Sequence, residues 1–217
     1  MPDHTAIQLA LRTQLRTLSV CTTGTVTLEA TLSGYQRADG GSFLTDGFAV
    51  GMELLPAGFA NNDRGVIAAV TATVITLRDG IVAEGSGAGR SLTVGLPEFC
   101  AWENTHLSPT SGRPYIEEEY IPATSSLLSA PSSGGTAEDT GLYVIRWYGL
   151  ANTGLASVTD AVSAILELFK AGTSLTVADG TVRVRGDIGP FRGPLRADAP
   201  GWVVMTATVP WRLYSTN

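Results

Sequence analysis

Residues 112–123, GRPYIEEEYIPA, hold three consecutive carboxylates: Glu117, Glu118 and Glu119. Paired carboxylates can act as general acid and base, or as acid and nucleophile, on a glycosidic bond. In a strand, successive side chains point to opposite faces. Glu117 and Glu119 then share a face with Tyr115 and Ile121, and Glu118 shares the other with Ile116 and Tyr120. Carboxylates at i and i+2 stand about 6.5–7 Å apart at their Cα atoms, a spacing that suits a dyad. Such dyads, however, flank a cleft and come from separate elements. A strand whose charges discourage stray pairing, exposed or at an interface, is the reading these residues favour.

The other reactive side chains form no constellation. His4 opens a helical pattern, His106 lies in ENTHLSPTSG, and neither has metal-ligand spacing to the other or to the cysteines. GSGAGRS (85–91) lacks the GK[ST] ending of a phosphate loop and reads as a turn between strands. There is no GxSxG elbow. The expectation is a chain with no catalytic, cofactor or metal site. DIGPFRGPLRADAPGW (187–202) is a long connection carrying Asp187, Arg192, Arg196 and Asp198, with an apolar Phe191 inside it. It is either an Ω-loop packing its own Phe or a contact loop for a partner.

The elements that must position these residues are mostly strands. Of 217 residues, 44% are hydrophobic, only 16% are charged, and 25 are glycine. Val, Thr, Gly and Ser crowd the middle and the C-terminal third, as in strands joined by tight turns. A net charge of −6 argues against a nucleic-acid binder held by phosphate contacts. Lys170 is the single lysine, and the remaining basic residues are arginines, which suit fixed bidentate pairing and hint at interfaces. No basic segment followed by an apolar run opens the chain, and no apolar run approaches a membrane span, so synthesis in the cytosol is expected.

Two segments read as helix. In about 4–18, Ile7, Leu11, Leu15 and Leu18 make one stripe behind Asp3 as N-cap. In about 157–171, Val158, Ala161, Val162, Ile165, Leu166 and Phe169 make another. Ser157 with Asp160 resembles a capping box, and Lys170 and Gly172 supply the C-terminal charge and stop. TGLYVIRWYGL (140–150) is apolar on both faces and reads as a central strand. GTVRVRG sets Val182 and Val184 against Arg183 and Arg185, and the last strand sets Val203, Met205, Ala207, Val209 and Trp211 on one face. SAPSSGGTAEDTG (129–141) reads as a loop.

Residues 20–99 differ from their flanks. They hold four Arg against eight acids and no Trp, while every Trp lies at or after residue 102. VTLEATL, GFAVGMELL, GVIAAVTATVITL and SLTVGL are strand-like runs between glycines, as in a small barrel or sandwich. Cys21 and Cys100 sit at the ends of this unit. An insert enters and leaves its host at neighbouring points, so the thiols either approach each other or are two ordinary buried cysteines.

The pattern outside this unit resembles a known family. An N-terminal helix is followed by AWEN (101–104), RPYIEEEYIPA (113–123), TGLYVIRWY (140–148), DAVSAILELFKAGTSLTVADGTVRVRGDIGPFRGPL (160–195) and DAPGWVVMTATVPWRLYST (198–216). In order and spacing this resembles the tail terminators of long-tailed phages, of the minor tail protein U-like kind. The resemblance covers residues 1–18 and about 100–217. It implies an α+β fold, a mixed, mostly antiparallel sheet packed by two helices, here formed by 1–19 and 100–217. The unit at 20–99 is then an inserted all-β small barrel or sandwich, similar to a β module of phage virion proteins. The resemblance further implies a homohexameric ring on the tail tube, which ends tube polymerisation and receives the head's connector at the tail–neck junction. Tail tube protein and connector are the implied partners, and DNA only passes through the lumen.

On that basis Glu117, Glu118 and Glu119 are expected to meet arginines of a neighbouring subunit, drawn from Arg183, Arg185, Arg192 and Arg212, with Asp187 and Phe191 in the same contact region. The insert is expected to decorate the exterior. A competing expectation makes it a host-surface or glycan-binding module whose site uses Tyr35, Phe43, Phe48 and Phe59, although phenylalanines are mostly core.

Overall fold

A computed structural model describes residues 3–102, 112–128, 136–198 and 200–216. His106 and the residues of AWEN and ENTHLSPTSG from 103 to 111 therefore lie outside the described residues, as do 129–135 of the expected loop.

The α+β class expected above is overturned. Of the described residues 49% are strand and only 13% helix, arranged as a closed barrel and a half-barrel. The reason is local. Apart from the two amphipathic stripes, the chain alternates with period two, and three of its strands run for 13 to 15 residues.

The barrel is built from β1 (Cys21–Thr22), β2 (Val26–Thr31), β3 (Gly34–Arg37), β4 (Glu53–Ala57), β5 (Gly65–Val70), β6 (Val74–Leu77) and β7 (Glu84–Val94). Its order is β7-β2-β3-β6-β5-β4, and β4 returns to β7 through Leu55↔Thr93, Pro56↔Leu92 and Ala57↔Ser91. Six strands thus close on themselves, which removes their edges. GSGAGRS is not a turn: it lies within β7, a long strand whose register against β2 shifts twice. The core holds Leu28, Tyr35, Phe43, Phe48, Leu54, Phe59, Ile67, Ile75 and Leu92. The four aromatics considered for glycan binding are all buried, with Tyr35 packed on Phe59 and Phe43 on Phe48. Two arginines are buried beside them. Arg37 lies over Phe43 and is held by Asp39 and Asp46, and Arg90 lies over Phe59, paired with Glu84 and bonded to the Leu28 and Gly85 carbonyls.

The second sheet contains β8 (Phe99–Ala101), β9 (Tyr115–Leu127), β10 (Thr136–Leu150), β11 (Ser174–Val177), β12 (Gly180–Val184) and β15 (Trp202–Thr216). Its order is β11-β12-β15-β10-β9-β8, with β13 (Phe191–Arg192) and β14 (Arg196–Ala197) also on β15. Among the described residues only the β8–β9 pairing is parallel. The connection 187–202 is thus partly strand, and residues 136–141 of the expected loop belong to β10.

Helices α1 (His4–Leu15) and α2 (Ala156–Leu168) fill the hollow side of this sheet. Asp3 caps α1, its Oδ1 accepting from the Thr5 and Ala6 amides. α1 buries Ile7, Leu11 and Leu15, and α2 buries Val158, Ala161, Val162 and Ile165, all against Tyr143, Ile145, Trp147, Val209, Trp211 and Leu213. The capping box on α2 does not form. Ser157 is buried inside the helix with its hydroxyl unpartnered, and Leu155 is the N-cap residue, with no side-chain cap.

Arg113 and Glu53 join the two sheets. The Glu53 carboxylate is almost fully buried and accepts from Arg113 at 3.3 Å and from the Glu98 amide at 2.9 Å. Arg113 also pairs with Glu98, and Arg64 donates to the Leu96 carbonyl at 3.0 Å. Burial pushes the Glu53 carboxyl above its ordinary value, against the opposing pull of the Glu98 amide and the Arg64 and Arg113 charges.

Candidate assembly surface

The three glutamates of β9 have three different fates, set by strand alternation. Glu118 points inward with Ile116 and Tyr120, and its side chain is 0% exposed. Arg12 of α1 grips it through two bonds, Nε–Oε2 at 2.9 Å and Nη2–Oε1 at 2.5 Å. Gln8 donates to Oε1 at 2.9 Å and the Tyr143 hydroxyl to Oε2 at 2.8 Å. A buried carboxylate is tolerable only with such full pairing. Burial, with the Glu118 charge beside it, raises the Tyr143 phenol well above its ordinary value, so it stays a donor. Trp102 adds to the clamp, its ring 4.8 Å from the Arg12 guanidinium carbon and 5.3 Å from that of Arg16. Glu118 therefore anchors α1 to its own sheet.

Glu117 and Glu119 point outward. Glu117 accepts from the Tyr148 hydroxyl at 2.8 Å, and Glu119 pairs with Arg146 across β9–β10. Tyr148 stacks on Tyr115 at 4.2 Å between ring centroids, with Trp202 edge-on to Tyr115 at 5.0 Å. Burial and the neighbouring Glu117 push the Tyr115 hydroxyl up to about 12. Both carboxylates keep part of their surface, so this face can still meet an external cation.

The expected arginines lie toward the other end of the sheet. Arg183 on β12 sits directly opposite Arg212 on β15. Arg183 is exposed, whereas Arg212 packs on the Tyr214 ring and approaches Glu138 at 4.0 Å. Arg185 is bidentate to Asp187, at 3.1 and 2.5 Å, and that pairing holds the Asp187 carboxyl down at about 2. Phe191 is 48% exposed and Arg192 is exposed beside it. Within one protomer the glutamates and these arginines are not brought together. Arg12, Gln8 and Tyr143, which position Glu118, escaped the sequence reading. The signal was there for Arg12, a charge beside the apolar stripe of α1, but nothing local names its partner.

Both thiols are free. Cys21 belongs to the barrel opposite Val94, and Cys100 lies opposite Ile116 in the second sheet. Burial pushes both up to about 12. Among the described residues no cluster of His, Cys, Asp and Glu could hold a metal ion, and no helix is long and apolar enough to cross a membrane.

Comparison with known proteins places this arrangement. Nothing among curated proteins matches the chain. One solved structure is similar at 19% identity over 57% of this chain and 80% of its own, with a TM-score of 0.43. The sequence profile of phage tail terminator proteins matches residues 92–211, from the end of β7 through Trp211. That match takes in more than half of the chain and nearly all of the half-barrel. The chain belongs to the phage tail terminator protein family, a structural family of the phage tail.

Proposed function

We propose that six copies of this chain close the tail tube as a ring, end tube polymerisation and present the surface onto which the head's connector docks. The observation that carries this reading is the family match across residues 92–211. The match covers the half-barrel, whose outward carboxylates and arginines support reading it as the assembling body. Ile188 and Phe191, both exposed on the connection after β12, offer apolar anchors for the tube protein or the connector. The barrel at 21–94 has its own closed core and decorates the outside of the tail–neck junction. DNA passes through the lumen, where outward acidic groups repel it rather than hold it.

The test is a polymerisation assay. Purified tail tube protein is elongated with and without this chain, and tube lengths are read by negative-stain microscopy. Shortened tubes with density at one end are expected. Unchanged lengths with bare ends reject the capping role.

A further inference from the structure

Among the described residues the second sheet ends in two strand edges without a partner. There β11 pairs only with β12. β8 covers β9 only at Tyr115–Glu117, and beyond that β9 pairs only with β10 among the described residues. A free edge is a row of unpaired amides and carbonyls, ready to accept another strand. The two edges lie at opposite ends of the same sheet, as a head-to-tail contact requires.

Their chemistry is complementary. Beside β11 runs a groove of roughly 470 Å³ along the flank of α1, lined by Ala6, Leu9, Ala10, Leu175 and Val177. Leu9 stands 54% exposed in it. On the outward face here, two arginines oppose each other across β12 and β15, which is unfavourable without an anion between them. Arg212 has Glu138 at 4.0 Å, but its buried Nε has no hydrogen-bond partner, and Arg183 has no ion pair among the described residues. The free edge of β9 is the reverse. Glu117 and Glu119 face outward and Ile121 is 37% exposed.

From this we infer that the free edge of β9, residues 121–126, adds as a strand to β11 of a second copy of this chain. The sheet then continues from protomer to protomer. With the two strands parallel and Ile121 beside Ser174, Glu119 of one copy lies about 6.6 Å along the strand from Ser174 and two strand spacings of about 4.8 Å across from Arg183 of the next, within reach of two extended side chains. This inference rests on the ring reading and gives its contact.

The test uses full-length chain with paired cysteines, Thr176→Cys combined in turn with Thr124→Cys and Ser126→Cys. Directly opposed residues on adjacent strands stand close enough for a disulfide. Mild oxidation is followed on non-reducing gels, and assembly is read separately by native mass with tail tubes present. A covalent ladder up to the ring, from a paired variant but from neither single variant, is expected. Native oligomers with no ladder from either pair overturn the edge contact and leave the ring reading standing. A wild-type chain that stays monomeric even with tubes overturns both. As an independent check, Arg183→Glu is expected to raise the concentration needed for assembly about tenfold, and Glu119→Arg to restore it. Unchanged assembly in Arg183→Glu contradicts the pairing.

Discussion

Arg12 and Glu118 form a bidentate pair 106 residues apart in sequence, closed at 2.9 and 2.5 Å over a carboxylate with no solvent exposure. The pair fixes the N-terminal helix to the sheet of the half-barrel. Removing one partner strands a charge in the interior, whereas removing both strands no charge and leaves the Tyr143 hydroxyl without its carboxylate acceptor. Arg12→Leu and Glu118→Leu alone are therefore each expected to cost about 3 kcal/mol, and the two together markedly less than their sum. Urea unfolding of both single variants and the double variant checks this, with non-additivity as the signature.

The β9–β10 pairing carries a second sensitive point. The register shifts beside Gly141, and a Cβ there would lie 2.4 Å from the Trp211 ring and 2.5 Å from the Ile121 carbonyl oxygen. Gly141→Ala is expected to destabilise by about 1–3 kcal/mol. The Trp211 ring, stacked on Tyr120 at 5.4 Å, should report the strain as a changed near-ultraviolet spectrum.

Much of the secondary structure was legible. The Asp3 cap and both apolar stripes marked the helices, and Val182 and Val184 against Arg183 and Arg185 marked the faces of β12. What periodicity cannot supply is the distant partner. Nothing in the runs of 20–99 announces that Leu55 meets Thr93 and closes a ring of strands. The fold class went astray differently: the resemblance implied a sheet packed by two helices, but these only fill the hollow of one of two β units. Glu118 shows the limit of periodicity most sharply. Alternation put it on the face of Ile116 and Tyr120, yet its arginine came from α1 rather than from residues 183–212.

Stability should vary with pH in two directions. Glu53, raised by burial, binds its proton more readily folded than unfolded, so its contribution is complete below the ordinary carboxylate value and declines as pH rises through its raised value. Asp39, held down at about 2 by its hydrogen bond to Arg37, contributes above the ordinary carboxylate value and loses that contribution as pH falls toward about 2. Unfolding free energies at stepped pH should show Glu53→Gln losing the first decline and Asp39→Asn the second.

The two thiols should be slow to react. With both pushed up to about 12 by burial, little thiolate exists near neutrality. Iodoacetamide at pH 8, followed by intact mass, should leave Cys21 and Cys100 largely unmodified in the native chain and modify both in urea.

The proposed closed ring is read from native mass spectrometry over a concentration series, with and without tail tubes. A discrete species of six copies that sharpens when tubes are added is expected. A chain that remains monomeric at every concentration, with tubes present, contradicts it.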